Sequence, residues 1–313
     1  MRTASQFGLR GTAALAFGLL VSMGMPGFGK EPEGPGRYYC YQDVMAHGTK
    51  GGGTLQVNGY TIEIKPSPDS TEGGCEATIL STKGEIVYQE EDWGVDIDPI
   101  TGKDVNGDGQ PDAVLVDFSG GAHCCWTYNI ISLGRKPGFI RGFENRDTAT
   151  FEDLGRNGRV EILVRDGGFD GFDRLMHPES PFPLVILRLE GDKFVDVGAE
   201  YLEVYDKEIR ELRAGMNASS LDSFLHSNPA EFDPNEPENE HFDHEETERR
   251  VLMIVTDYLY SGRPDQAWKT VHDMWPAGDR ERIQGAILEQ YCNGFLSEVK
   301  TQPSPVCRDI PLP

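Results

Sequence analysis

Two thirteen-residue stretches of this chain align without a gap at an offset of 49 residues: DVNGDGQPDAVLV at 104–116 and DLGRNGRVEILVR at 153–165. Asp104 falls on Asp153, Asp108 on Asn157, Gly109 on Gly158 and Asp112 on Glu161, and an apolar run follows in both copies. Acids, amides and glycines clustered in this way favour a tight turn, because glycine admits backbone angles that other residues resist. The run behind each turn is too short for a helix and reads as a strand. A loop-then-strand unit of this length cannot bury its apolar face alone. Its recurrence predicts stacked units that cover one another.

The neighbouring pattern extends that prediction over residues 38–200. Segments 54–57 and 60–64 alternate in polarity around Asn58-Gly59, a strong two-residue hairpin signal. Segments 77–80 and 85–88 flank Lys83-Gly84 in the same manner, and 113–116, 126–133, 160–164, 184–189 and 193–197 supply further strands. After residue 204 the period becomes helical. Residues 204–226 read as helix, 228–246 as a solvated linker rich in Pro, Glu, Asp and Asn, and 247–261 as an amphipathic helix stopped by Gly262. Two more helices follow at 264–275 and 280–295. The expected organisation is a β domain over 38–200, a helical extension over 201–227, an acidic linker over 228–246, a small α-helical domain over 247–298 and a tail over 299–313.

The first copy of the repeat has the chemistry of a calcium loop. Calcium takes six to eight oxygen ligands in a flexible shell. Asp104, Asn106 and Asp108 at positions 1, 3 and 5 can converge once Gly107 and Gly109 let the chain turn, the carbonyl of Gln110 can point inward, and Asp112 can close the shell. An EF-hand needs Glu at position 12, where this chain has Leu115 inside a strand-like run, so the loop is not an EF-hand. The alternative is an acidic surface turn without an ion.

Loop and strand together resemble the FG-GAP (integrin α-type) and VCBS repeats, calcium-loaded blades of extracellular β-propellers. The resemblance spans roughly residues 100–200, with one full match. It implies calcium held by Asp104, Asn106, Asp108, the backbone of Gln110 and Asp112. In the second copy Gly155 replaces the position-3 ligand and Arg156 adds a cation, so that copy is expected to fold without calcium. Closed propellers generally need four to eight blades. Two recognisable units and a third within 38–98 predict a β-rich N-terminal domain of propeller-like blades, open or partial, or a compact sandwich, followed by the helical domain.

The N-terminus reads as an export signal: Arg2 and Arg10, the apolar run 12–23, then Gly27 and Gly29 before a cleavage point. Removing residues 1–29 takes away those two arginines and no acid, so the net charge of −23 becomes about −25. That charge disfavours nucleic acid and anionic lipid as partners and favours cations. All six cysteines lie in the mature part, and an even count in an exported chain predicts disulfides. Position suggests Cys40–Cys75 and Cys292–Cys307, leaving Cys124 and Cys125 to pair with each other or stay free.

Other constellations carry weaker chemistry. His123 and Asp117 flank Cys124 and Cys125 as a nucleophile would require, but a structural disulfide suits an oxidising compartment better. The loop from Asp166 through Phe169, Asp170 and Phe172 to Asp173 could hold or cleave a sugar. His241 and His244, with His226 nearby, could take zinc or copper weakly. Residues 258–268 resemble one helix–turn–helix of a tetratricopeptide repeat. The resulting expectation is an exported calcium-binding, non-catalytic binding or scaffold protein of the bacterial cell envelope, with a protein or glycan ligand. The alternatives are a glycan-directed hydrolase acting through the carboxylates of 166–173, and a structural subunit whose blade edges a partner completes.

Overall fold

The computed structural model of the protein describes residues 38–43, 48–67, 74–121, 125–230, 238–299, 301–302 and 304–307. The expected export signal, residues 1–29, lies outside them. The strands form three antiparallel meanders in chain order. The first is β3 (Gly53–Val57), β4 (Tyr60–Pro66), β5 (Cys75–Leu80) and β6 (Ile86–Asp92). The second is β7 (Gly94–Ile97), β8 (Asp112–Phe118), β9 (Trp126–Ser132) and β10 (Gly138–Asn145). The third is β11 (Ala149–Glu152), β12 (Glu161–Arg165), β13 (Leu184–Glu190) and β14 (Lys193–Asp196). A hairpin of β1 (Cys40–Asp43) and β2 (Gly48–Gly51) pairs with β7 and widens the second meander to six strands, in the order β10-β9-β8-β7-β1-β2.

Local sequence explains the register. Asn58 and Gly59 both take positive φ, 52° and 85°, which matches the twist a two-residue hairpin needs and seats Val57 opposite Tyr60. The apolar run Ala113-Val114-Leu115-Val116 is buried throughout because the central sheet is covered on both faces. Ala113 and Leu115 join a core with Ile62, Ile64 and Ile79 of the first meander, whereas Val114 and Val116 join a core with Ile162, Val185 and Leu187 of the third. The layers therefore run first meander, six-stranded sheet, third meander. The Cys40–Cys75 disulfide ties β1 to β5 across the first of these seams.

The helices form the fourth layer. In α1 (Leu202–Ala214), Tyr205, Ile209 and Leu212 bury one face at helical spacing. Asn217 caps α2 (Ala218–Leu225) by accepting from the Ser219 amide at 2.9 Å. Then come α3 (Glu238–Tyr260), α4 (Pro264–Met274), which starts on proline, α5 (Arg280–Asn293) and α6 (Phe295–Glu298). The Cys292–Cys307 disulfide fastens the tail to α5. Cys125 is disulfide-bonded too, its partner lying outside the described residues. No described helix is long and apolar enough to cross a membrane.

Two differences from the sequence reading concern the helices. The third helix starts at Glu238, inside the stretch read as linker, and residues 231–237 lie outside the described ones. Acids are stabilising near a helix N-terminus, and His241–Glu245 and Glu246–Arg250 pair at i,i+4, at 3.2 and 2.6 Å, so this composition suits a helix start as well as a linker. The helices also lack a core of their own. Val251, Ile254, Val271, Ile287 and Tyr291 belong to one cluster with Ile162, Val185 and Leu187, and Phe143 of β10 meets Phe295 of α6 edge to face at 6.2 Å. The four-residue strands β1, β2, β7 and β11 and the eight-residue β10, also absent from the sequence reading, complete the sheets.

Candidate metal centre and its second copy

The two acidic loops occupy the same place in successive meanders. Residues 104–112 form the end of the connection from β7 to β8 and residues 153–161 the connection from β11 to β12, each leading from the first strand of its meander into the second. Most of their side-chain hydrogen bonds correspond, although Arg156 N donates to the Asp153 carbonyl where Gly107 N donates to the Asp104 carboxylate. Both oxygens of Asp104 are held by loop amides: Gly107 N and Asp108 N donate to Oδ1 at 2.8 and 3.2 Å, and Gly109 N donates to Oδ2 at 2.8 Å. In the second loop Asn157 N and Gly158 N donate to Asp153 at 2.9 and 2.8 Å. Gln110 N donates to Asp108 Oδ1 at 2.7 Å, as Arg159 N does to Asn157 Oδ1 at 2.9 Å. The left-handed positions coincide as well: Gly107 and Gly109 take φ of 76° and 80°, Arg156 and Gly158 take 52° and 85°. The gapless alignment is thus a structural repeat, and Arg156 adopts a backbone angle that glycine takes with less strain.

The loops diverge at their last residue. Asp112 is fully buried at the start of β8, where its Oδ2 accepts from the amides of Val105 at 2.8 Å and Asn106 at 3.3 Å. Its Oδ1 is buried with no partner. Burial first, and the neighbouring Asp104 and Asp108 charges next, push this carboxyl up to about 7. Glu161, its counterpart, is equally buried and accepts from Leu154 N at 3.1 Å through Oε2. Its Oε1 accepts from Arg188 Nε at 3.0 Å. Arg188 is itself 5% exposed and also donates to Glu200 Oε2 and Tyr201 Oη, at 2.9 and 3.1 Å. In the ladders Arg188 stands opposite Glu161, and Ser132 stands opposite Asp112. The second loop thus carries a cation of its own at the position where the first has a serine.

Asp104, Asn106, Asp108, Gln110 and Asp112 are assembled in one loop, and their donor set consists of hard oxygens suited to calcium. Asn106 is 6% exposed, with its Oδ1 accepting from Asp108 N at 3.1 Å. The orphaned Asp112 Oδ1 fits a cation ligand. In the present conformation, however, no three His, Cys, Asp or Glu side chains among the described residues converge closely enough to hold a metal ion.

The remaining constellations are dispersed. Asp166 is fully buried, caps Gly168 N at 2.8 Å and receives the Tyr260 hydroxyl. Asp170 bridges Arg146 and His177, and Asp173 binds Arg282 in a two-pronged ion pair at 2.6 and 2.8 Å. The three carboxylates turn to three different partners, and Phe169 is buried against Phe172, so the loop presents neither a pair of free acids nor an open aromatic platform. His226, His241 and His244 bond separately to the Asp222 carbonyl, Glu245 and Ser223. His123 and Cys124 lie outside the described residues. A depression of about 300 Å³ lined by Arg213, Tyr258, Lys269 and Asp273 contains no residue of either loop.

The residue that sequence reasoning missed is Arg188. Its signal was present: one arginine inside LVILRLE, an apolar strand, must find a buried anion. Comparison with known proteins adds no further identity, since no family model, no curated protein and no solved structure matches the chain.

Proposed function

We propose that the protein is an exported, calcium-binding, non-catalytic binding or scaffold protein of the bacterial cell envelope, built on an open stack of propeller-like blades of the FG-GAP and VCBS kind. The three meanders are read as the blades, and the recurrence of the acidic loop between first and second strands supports that reading. The observation that carries calcium is Asp112 Oδ1, a buried carboxylate oxygen without a partner at the place where the second copy supplies an arginine. A bound calcium would supply the missing positive charge, with Asp104, Asn106, Asp108, the Gln110 carbonyl and Asp112 as its ligands. Two disulfides between described residues accord with export. The ligand class is a protein or a glycan.

Melting with millimolar calcium and with chelator tests the proposal. A ligand that binds only the native state stabilises it by about 2.7 kcal/mol at a hundredfold excess over Kd. The wild type should gain stability on that scale, and Asp108→Ala and Asp112→Asn should lose the gain. A wild-type curve indifferent to calcium removes the calcium reading. Recovery of the same partner from envelope extract regardless of chelator would leave a scaffold whose binding face is independent of the ion.

A further inference from the structure

Away from the acidic loops, several largely buried carboxyl groups face a cation or a strong donor: Asp170 has Arg146, Asp173 has Arg282, Asp166 has Tyr260, and Asp257 lies near Arg165 and Arg263. Glu90 and Asp117 are arranged differently. Glu90 reaches from β6 of the first meander and Asp117, 6% exposed, from β8 of the central sheet, and the two carboxyl groups are hydrogen-bonding neighbours across the seam. Asn129 Nδ2, from β9, donates to both, at 2.7 Å to Glu90 Oε2 and 2.8 Å to Asp117 Oδ2. The Tyr88 hydroxyl adds a third bond to Glu90 Oε2 at 2.8 Å. These donors take one oxygen of each group. The other two, Glu90 Oε1 and Asp117 Oδ1, are buried and have no donor.

The groups acting most strongly on the pair are Asp92 and Tyr88 from β6 and Asn129 from β9, none of them a cation. On the central sheet Asp117 pairs with Val95 on one side and Thr127 on the other, and Thr127 pairs with Glu144, so this row adds another acid and no base. From β10, Phe139 stacks on Tyr88 at 5.9 Å and closes the edge. Two ionised carboxylates in contact within a partly dry seam repel strongly. One proton held between the two carboxyl groups makes one of them a donor and the other its acceptor.

We infer that Glu90 and Asp117 hold a single proton between them at neutral pH, and that this shared proton latches the first meander onto the central sheet. Burial raises both carboxyls, and the Glu90 charge raises Asp117 further. A carboxyl whose folded-state pKa lies above its unfolded value contributes stability that is complete in acid and is lost as pH rises through the folded value. The latch therefore holds in mildly acidic and neutral solution and slackens in alkali. The chain gains a pH-sensitive joint that is independent of calcium.

The test compares wild type with Asp117→Asn and Glu90→Gln, whose amides supply an N–H where the shared proton stood. Without calcium, the loss of melting temperature between neutral and alkaline pH should be smaller in each variant than in the wild type. The infrared band of a protonated carboxyl at neutral pH should be weaker in Asp117→Asn by one group. Equal alkaline losses, or an undiminished band, would overturn the inference. The wild type provides a readout that needs no substitution. Amide-exchange protection of residues 89–92, relative to that of β13 and corrected for intrinsic rates, should fall as the solution turns alkaline, and a constant ratio overturns the latch even if neither variant folds.

Discussion

At the base of the first loop Asp112 faces Ser132 across the ladder, and at the base of the second Glu161 faces Arg188. Much else about the two loops matches, from the amides that hold Oδ2 of the leading aspartate to the left-handed turns that let the chain double back. A buried carboxylate must be compensated, and this chain holds two answers in adjacent meanders. The second is self-sufficient, through an arginine shared with Glu200 and Tyr201. The first leaves an oxygen bare. On the calcium reading proposed above, the arginine on the strand beside the second loop meets the charge that an ion would meet in the first, and Gly155 there offers no side-chain ligand where the first loop has Asn106.

The largest expected effect is that of Arg188→Met. Removing one partner of a buried ion pair costs about 3–5 kcal/mol, because the other charge stays behind uncompensated. Denaturant unfolding should show that loss, whereas Arg188→Met with Glu161→Met should recover most of it. An equal loss in both variants would mean that Arg188 acts through packing alone. A smaller effect comes from rebuilding the second loop. Gly155→Asn with Asn157→Asp restores its ligand positions, yet calorimetry should find no second calcium while Arg188 remains. Adding Arg188→Ser should create a calcium response approaching the roughly 2.7 kcal/mol of a saturated site. The smallest effects concern the turn. Gly107→Ala should cost about 1–2 kcal/mol, the strain of a left-handed residue with a side chain. Arg156→Gly should shift the melting curve by less than about 1 kcal/mol, since relieved strain is offset by a freer unfolded chain.

Much of the architecture was legible in residues. The repeat fixed where loops lead into strands, Asn58-Gly59 fixed a hairpin, and the position of the cysteines indicated both disulfides between described residues. The five candidate ligands were legible as a set because they sit in one contiguous loop. What escaped were properties that need a second strand in view. Arg188 is 27 residues from Glu161 in sequence, and only the register of β12 on β13 makes them partners. Glu90 and Asp117 meet because two sheets stack, which no periodicity encodes. Short strands such as β7 and β11 carry too few residues to display an alternation. The acids of 238–246 read as solvated because composition alone does not distinguish a linker from the N-terminal turns of a long helix.

The helices bear on a different question, which is how a repetitive protein stops. Sheets that stack face to face present a fresh docking face after every unit, and an array with matching faces at both ends invites copies to add head to tail. Here the layer after the third meander is helical. Apolar side chains from α1, α3, α5 and α6 share its core, with Tyr205 donating to the Leu184 carbonyl of β13 at 3.2 Å and Tyr260 reaching Asp166. The helical segment thus covers the face where a further meander would dock, and an unlike surface there gives an incoming copy nothing to match.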